Sequence, residues 1–267
     1  MFRTIRLGKW FGIETYIHWS FTLFMLWVLL SVSISGGIQQ GLNASLFLLL
    51  VFVCVYFHEL GHAKAAKTYG IETHDITLLP IGGLARLASM PRSPKAEIVV
   101  AIAGPAVNVL IAAMMAIVLL IAGGINESLQ SNPIRLGFLQ QLFAVNVILV
   151  VFNLIPAFPM DGGRILRAIL AMRFGHLRGT SIAARIGRYL ALLMMVVGLF
   201  TSFSLILVGI FVLVAGFKEL MDARRQAIGE SGWMPAGFGN DFSGLDRSPR
   251  TTSPDDVLEA ESVRRVD

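Results

Sequence analysis

His58, Glu59 and His62 stand in the order His-Glu-Leu-Gly-His, directly after the apolar run Leu46 to Phe57. On a helix, residues four apart share a face, so both imidazoles can bind one metal ion while Glu59, beside them, reaches a water on that metal. Zinc suits neutral imidazole; with three protein ligands it leaves a fourth position for water, whose pKa falls to about 7. A carboxylate there can take the water's proton and pass it to a leaving amine. These residue types at this spacing point to peptide hydrolysis. In lipid each ionisable group costs about 2.5–3.5 kcal/mol on insertion scales, so three clustered at one place need a shared reason.

Two histidines and a water leave zinc one protein ligand short. Asp161, Glu97, Glu72, Asp75 and His74 are the candidates. Asp161 stands out because it follows Asn153-Leu154-Ile155-Pro156-Ala157-Phe158-Pro159-Met160 at the end of an apolar span and precedes Gly162-Gly163. A straight helix from Phe138 would carry Asp161 about 35 Å, to the far membrane surface. The two prolines break that helix, and irregular backbone can then hold Asp161 at metal depth, shielded by protein. The competing reading is a capping or turn carboxylate at the membrane surface, paired with Arg164. With helix entry at Leu46, the metal lies about 10–15 Å below the cytoplasmic face.

The elements that position these groups belong to a membrane protein. The chain has 267 residues, of which 55% are hydrophobic and 15% charged, and its mean hydropathy is +0.71. A soluble domain would carry about 25% charge. Apolar stretches run Ile17 to Ile34, Leu46 to Phe57 and on to His62, Ile98 to Ala122, Phe138 to Phe158, and Tyr189 to Phe217. The last is longer than the roughly 20 residues that span a bilayer. With Thr180 to Tyr189 it divides into two helices around Gly198 to Ser204, which gives six spans. The first stretch exceeds a usual signal-peptide core and reads as a retained helix.

Charge placement supports that count. With the N-terminus inside, every Lys and Arg except Arg135 falls on the cytoplasmic side, a positive-inside pattern that places both termini in the cytoplasm. The formal charge of +5 therefore records topology rather than a nucleic-acid partner. The single cysteine, Cys54, reads as a small buried residue. Between the second and third spans, Ile71 to Leu87 is too polar to cross and reads as short strands around Pro80 and Gly82-Gly83. His74 and Asp75 within it read as solvated loop residues. From about Asp222 the chain turns polar, so residues 1–222 form the membrane domain and 223–267 a polar, disordered cytoplasmic tail.

Three motifs carry a family resemblance: HELGH at 58–62, AGPAVN at 103–108 and NLIPAFPMDGGRIL at 153–166. They resemble the signatures of the site-2 protease family, the intramembrane zinc metalloproteases, over about residues 10–222. The resemblance implies an all-α polytopic fold of six transmembrane helices. The second, third and fourth would form the catalytic core, with a small membrane-associated β element between helices 2 and 3. It implies one zinc per chain on His58, His62 and Asp161, with Glu59 as catalytic base. It also gives Asn153 a part in positioning substrate or stabilising the oxyanion, a role its amide donors suit. Asn108 matches the family's third-span asparagine, for which an interhelical hydrogen bond is an equal reading. His18 is similar to a histidine early in the family's first span and is assigned to interfacial packing. The chain resembles the compact branch without a PDZ insertion, and its tail is too short for a pair of CBS modules.

The function expected is an intramembrane endopeptidase of the inner cell membrane. It would cut a transmembrane or membrane-proximal segment of another protein, in regulated proteolysis or clearance of membrane remnants. Its partners would be that substrate and membrane lipid. The alternative is a zinc transporter or channel, which needs ligands or charges spread along a path through the bilayer. The outer halves of the spans are nearly free of charge, which argues against it.

Overall fold

The computed structural model describes residues 4–88, 93–121 and 137–230. The loop around Asn126 and Arg135 and the polar tail beyond Glu230 lie outside the described residues.

The chain opens with two antiparallel strands, β1 (Thr4–Trp10) and β2 (Ile13–His18). They are joined through Phe11 and Gly12, at φ 53° and 88°, the left-handed pair that a tight hairpin turn requires. Two apolar helices follow, α1 (Trp19–Gly36) and α2 (Ile38–Thr68). His18 caps α1, its Nδ1 accepting from the Ser20 amide at 3.3 Å. Strands β3 (Thr73–Leu79) and β4 (Gly82–Leu87) come next. β3 pairs in parallel with β2, with Thr15 opposite Ile76 and Ile17 opposite Leu78, so one sheet runs β1-β2-β3-β4.

The expected β element is therefore larger than the segment between helices 2 and 3, because the N-terminal hairpin completes it. The face carrying Thr15 and the fully buried Ile76 turns inward, where the Thr15 hydroxyl meets that of Tyr56 on α2 at 3.3 Å. The other face is polar. There Asp75 accepts from Arg86 Nε at 2.6 Å and from Thr77 at 2.9 Å, and this pairing raises the Arg86 pKa above its usual value. Asp75 is 4% exposed. It is a buried strand residue holding β3 to β4, which corrects its reading as a solvated loop group; His74 beside it is exposed, as expected.

The remaining helices are α3 (Pro94–Ile121), α4 (Phe138–Asn153), α5 (Asp161–Phe174), α6 (His176–Thr201) and α7 (Phe203–Glu230). Five helices, α1, α2, α3, α6 and α7, are long and apolar enough to cross a membrane, so the protein is a multi-pass membrane protein. The long C-terminal stretch breaks at Ser202, within the interval expected from Gly198 to Ser204. The fourth expected span is shorter than its apolar run. α4 has 16 residues, about 24 Å of rise, because Pro156 disfavours helical backbone at Ile155 and removes a donor at the next step.

Residues 154–160 are irregular and pack on α6 and α7. Ala157 and Met160 form one buried cluster with Ala191 and Val212, flanked by Phe152, Ile155 and Val208. A second cluster of Ala66, Ile71 and Val100, with Leu87 against it, joins the end of α2 to β4 and α3. Gly61 allows the α2–α3 crossing to be close: a Cβ there would fall 2.6 Å from the Ala103 carbonyl oxygen.

Candidate metal centre

α2 carries His58 and His62 one turn apart, and both are buried, at 6% and 5% exposure. Their Nε2 atoms lie 3.1 Å apart. α5 brings the third group. Asp161 is its first residue, and Oδ2 lies 3.2 Å from Nε2 of each histidine. The turn reading of Asp161 paired with Arg164 gives way to this placement.

The backbone around Asp161 explains the glycines that follow it. A Cβ on Gly162 would strike the carbonyl oxygens of Leu154 and Ile155, and one on Gly163 would fall 2.6 Å from the Ala157 carbonyl carbon. The irregular segment can fold back onto the first turn of α5 only because those side chains are missing. Gly104 does the same service on α3. A Cβ there would overlap His62 Nε2 and lie 2.8 Å from His58 Nε2.

The hydrogen bonds on the far sides of the rings decide what the near sides offer. His62 Nδ1 lies 2.7 Å from the Val100 carbonyl oxygen, which can only accept, so Nδ1 carries the hydrogen and Nε2 is a bare lone pair. His58 Nδ1 donates to Asn108 Oδ1 at 2.9 Å. Two lone pairs and a buried Asp161 Oδ2 with no hydrogen-bond partner thus converge with no donor among them. Three acceptors this close repel unless a cation lies between them. A tetrahedral zinc with bonds of about 2.0–2.1 Å sets its ligand atoms about 3.3 Å apart, close to the spacings found. Among the described residues this is the one group of three or more His, Cys, Asp or Glu side chains placed to hold a metal ion.

The residue profile of Peptidase family M50 matches residues 46–134 and 126–197. The chain belongs to peptidase family M50. It is 43% identical to the zinc metalloprotease MJ0392 of Methanocaldococcus jannaschii over 81% of its own length and 60% of that relative's. It thus spans less than two thirds of that protein. A Synechocystis relative, sll0528, with a provisional zinc-metalloprotease name, is 34% identical over 91% of the chain and 70% of its own length. The solved structure of a site-2 protease from Methanocaldococcus jannaschii is 39% identical, with a TM-score of 0.57, and the match covers 82% of this chain and 95% of that one.

The other M50 residues singled out from sequence fall in different places. Glu59 is half-buried next to the histidines and makes no hydrogen bond or ion pair among the described residues; its side chain lies against Gly83 of β4. Asn153 ends α4, and its Nδ2 donates to the Leu149 carbonyl at 3.0 Å. Glu97, a candidate ligand, is instead buried against Arg167, with Nε to Oε1 at 2.7 Å. Glu72 is exposed. Arg167 also meets Glu219 on α7 and stacks its guanidinium 5.3 Å from the Phe158 ring. Neither Arg167 nor Asn146, which lies behind Asn108, was visible as a site residue. Arg167, three residues after Arg164 in a stretch read as cytoplasmic, and a lone asparagine in an apolar run carry no spacing signal, although an amide inside a membrane helix is itself unusual.

Proposed function

We propose that this chain is a zinc-dependent intramembrane endopeptidase. It binds one zinc through His58, His62 and Asp161 and hydrolyses a peptide bond within or next to a transmembrane segment of another membrane protein. The observation that carries the reading is the convergence of two bare Nε2 atoms and an unpartnered carboxylate oxygen at 3.1–3.2 Å, with both histidines on α2, a helix long and apolar enough to cross a membrane.

A zinc ion held by His58, His62 and Asp161 would supply Lewis-acid chemistry there, lowering the pKa of a water to near 7. Glu59 accepts the proton of the attacking water and delivers it to the amide nitrogen, so a C–O bond forms as the C–N bond breaks. Its lack of a competing hydrogen bond leaves the carboxylate available for both transfers. Asn153 spends one amide hydrogen on Leu149 and keeps the second, with its carbonyl, for orienting the substrate or its oxyanion.

A helical substrate must be unwound before its carbonyl can be attacked. β4 is an outer strand of the sheet and its Gly83 touches Glu59, so an extended segment added to the β4 edge passes beside the base. Residues 1–222 hold every group this chemistry uses, and 223–267 is taken as a tail outside it. Both termini are placed in the cytoplasm from the Lys and Arg bias, in the cell membrane, with lipid around the apolar helices. Regulated proteolysis and clearance of membrane remnants both suit such a site.

A zinc transporter is the weaker reading, because the ligating groups gather at one point instead of along a path. Purified protein incubated with a model single-span substrate separates the two. Cleavage that a chelator abolishes and zinc restores supports the protease; zinc flux in vesicles without cleavage supports the transporter.

A further inference from the structure

Asn146 on α4 is fully buried in an apolar helix, and its hydrogen-bond partners are Asn108, Cys54 and Leu142, none of them a candidate metal ligand. Its hydrogen bonds nevertheless lead to one. Asn146 Nδ2 donates to the Leu142 carbonyl at 2.9 Å, with Cys54 Sγ as a weak second acceptor at 3.4 Å. Its Oδ1 accepts from Asn108 Nδ2 at 3.1 Å. Asn108 Oδ1 in turn accepts from His58 Nδ1 at 2.9 Å.

The direction of this chain is forced from one end. A backbone carbonyl can only accept, so Asn146 must turn its amide nitrogen toward Leu142 and its oxygen toward Asn108. Asn108 must then offer nitrogen to Asn146 and oxygen to His58. His58 is left with its hydrogen on Nδ1 and a lone pair on Nε2, the form that binds a metal through Nε2. His62 reaches the same state in one step from Val100 O. His58 has no backbone carbonyl on Nδ1 and depends on two side-chain amides.

We infer that Asn146 is a positioning residue for the metal centre: it fixes the amide orientation of Asn108 and, through it, the His58 tautomer that ligates. The inference rests on the zinc reading above. Without Asn146, Asn108 is free to rotate and present Nδ2 to His58. That places the hydrogen on Nε2, where it blocks ligation.

The test is zinc affinity, measured by chelator competition on the purified full chain, together with histidine 15N shifts of the zinc-free protein. Asn146→Leu, close in size, should bind zinc about 10- to 100-fold more weakly with thermal stability in detergent near wild type. Its His58 signal should move from the Nδ1–H form toward the Nε2–H form. Asn146→Asp should bind close to wild type, because a buried carboxyl kept neutral accepts from Asn108 and donates to Leu142. Asn108→Leu with Asn146→Leu should lose no more affinity than Asn108→Leu alone, since both act through one path. Equal zinc affinity for wild type and Asn146→Leu, or additive losses in the double variant, would overturn the proposal. If Asn146→Leu does not fold, a folded Asn146→Asp with impaired zinc binding overturns it equally. Failure of the zinc reading looks different, since the wild type itself would then not bind the metal.

Discussion

Gly83 of β4 stands against the side chain of Glu59, so that a Cβ at position 83 would fall 2.6 Å from Glu59 Cγ and 3.3 Å from its Cδ and Oε1. The strand and the candidate base are in direct contact. The three atoms nearest a Cβ at position 83 all belong to Glu59, so Gly83→Ala bears first on that side chain. Near-wild-type thermal stability and zinc content are expected, with cleavage reduced about 100-fold by misplacement of the base. Activity assays beside metal analysis check this, and unchanged cleavage would show that the contact is incidental.

Gly104→Ala acts on the opposite side of the centre. Alanine favours the helix, yet its methyl group occupies the space of the two Nε2 atoms. The expected outcome is a folded protein that purifies with little or no zinc, read by metal analysis. A full zinc complement would contradict the ligand geometry.

Arg167 ties α5 to α3 through Glu97 and to α7 through Glu219, with Arg167 only 3% exposed. Arg167→Met strands a buried carboxylate and should cost about 3–5 kcal/mol, seen as a clear fall in thermal stability. Arg167→Met combined with Glu97→Gln should recover part of the loss, because the stranded charge is gone.

The pairing of His58 with His62 was legible in the sequence because helical periodicity puts them on one face, and Pro156 and Pro159 announce a helix that cannot continue to Asp161; the choice of Asp161 over the other candidate ligands came from the family resemblance. The N-terminal hairpin was not legible. Its turn is Phe11-Gly12, without the Asn-Gly or Asp-Gly signal that such turns usually carry. The parallel pairing of β2 with β3 joins residues on either side of two long helices, and no local pattern reports it. Asp75 was read as solvated because a carboxylate on a short polar segment usually is; its burial depends on Arg86, a partner across the strand pair. Asn146 and Arg167 escaped for the same reason, since their meaning lies in contacts with other helices.

Topology rests on charge alone. Reporter fusions at the C-terminus and near Asn126 are expected to report opposite compartments, with the C-terminus cytoplasmic. The same compartment for both would remove the six-span arrangement.

In the proposed mechanism, metal binding and proton transfer fall to separate, neighbouring residues of α2. Glu59→Gln keeps the size of the side chain and leaves His58, His62 and Asp161 untouched. Cleavage of a model transmembrane substrate, measured on the same preparation as its zinc content and substrate binding, tests that separation. The predicted result is one zinc per chain, substrate retained, and cleavage lowered at least about 100-fold. Wild-type-like cleavage by the glutamine variant would contradict it.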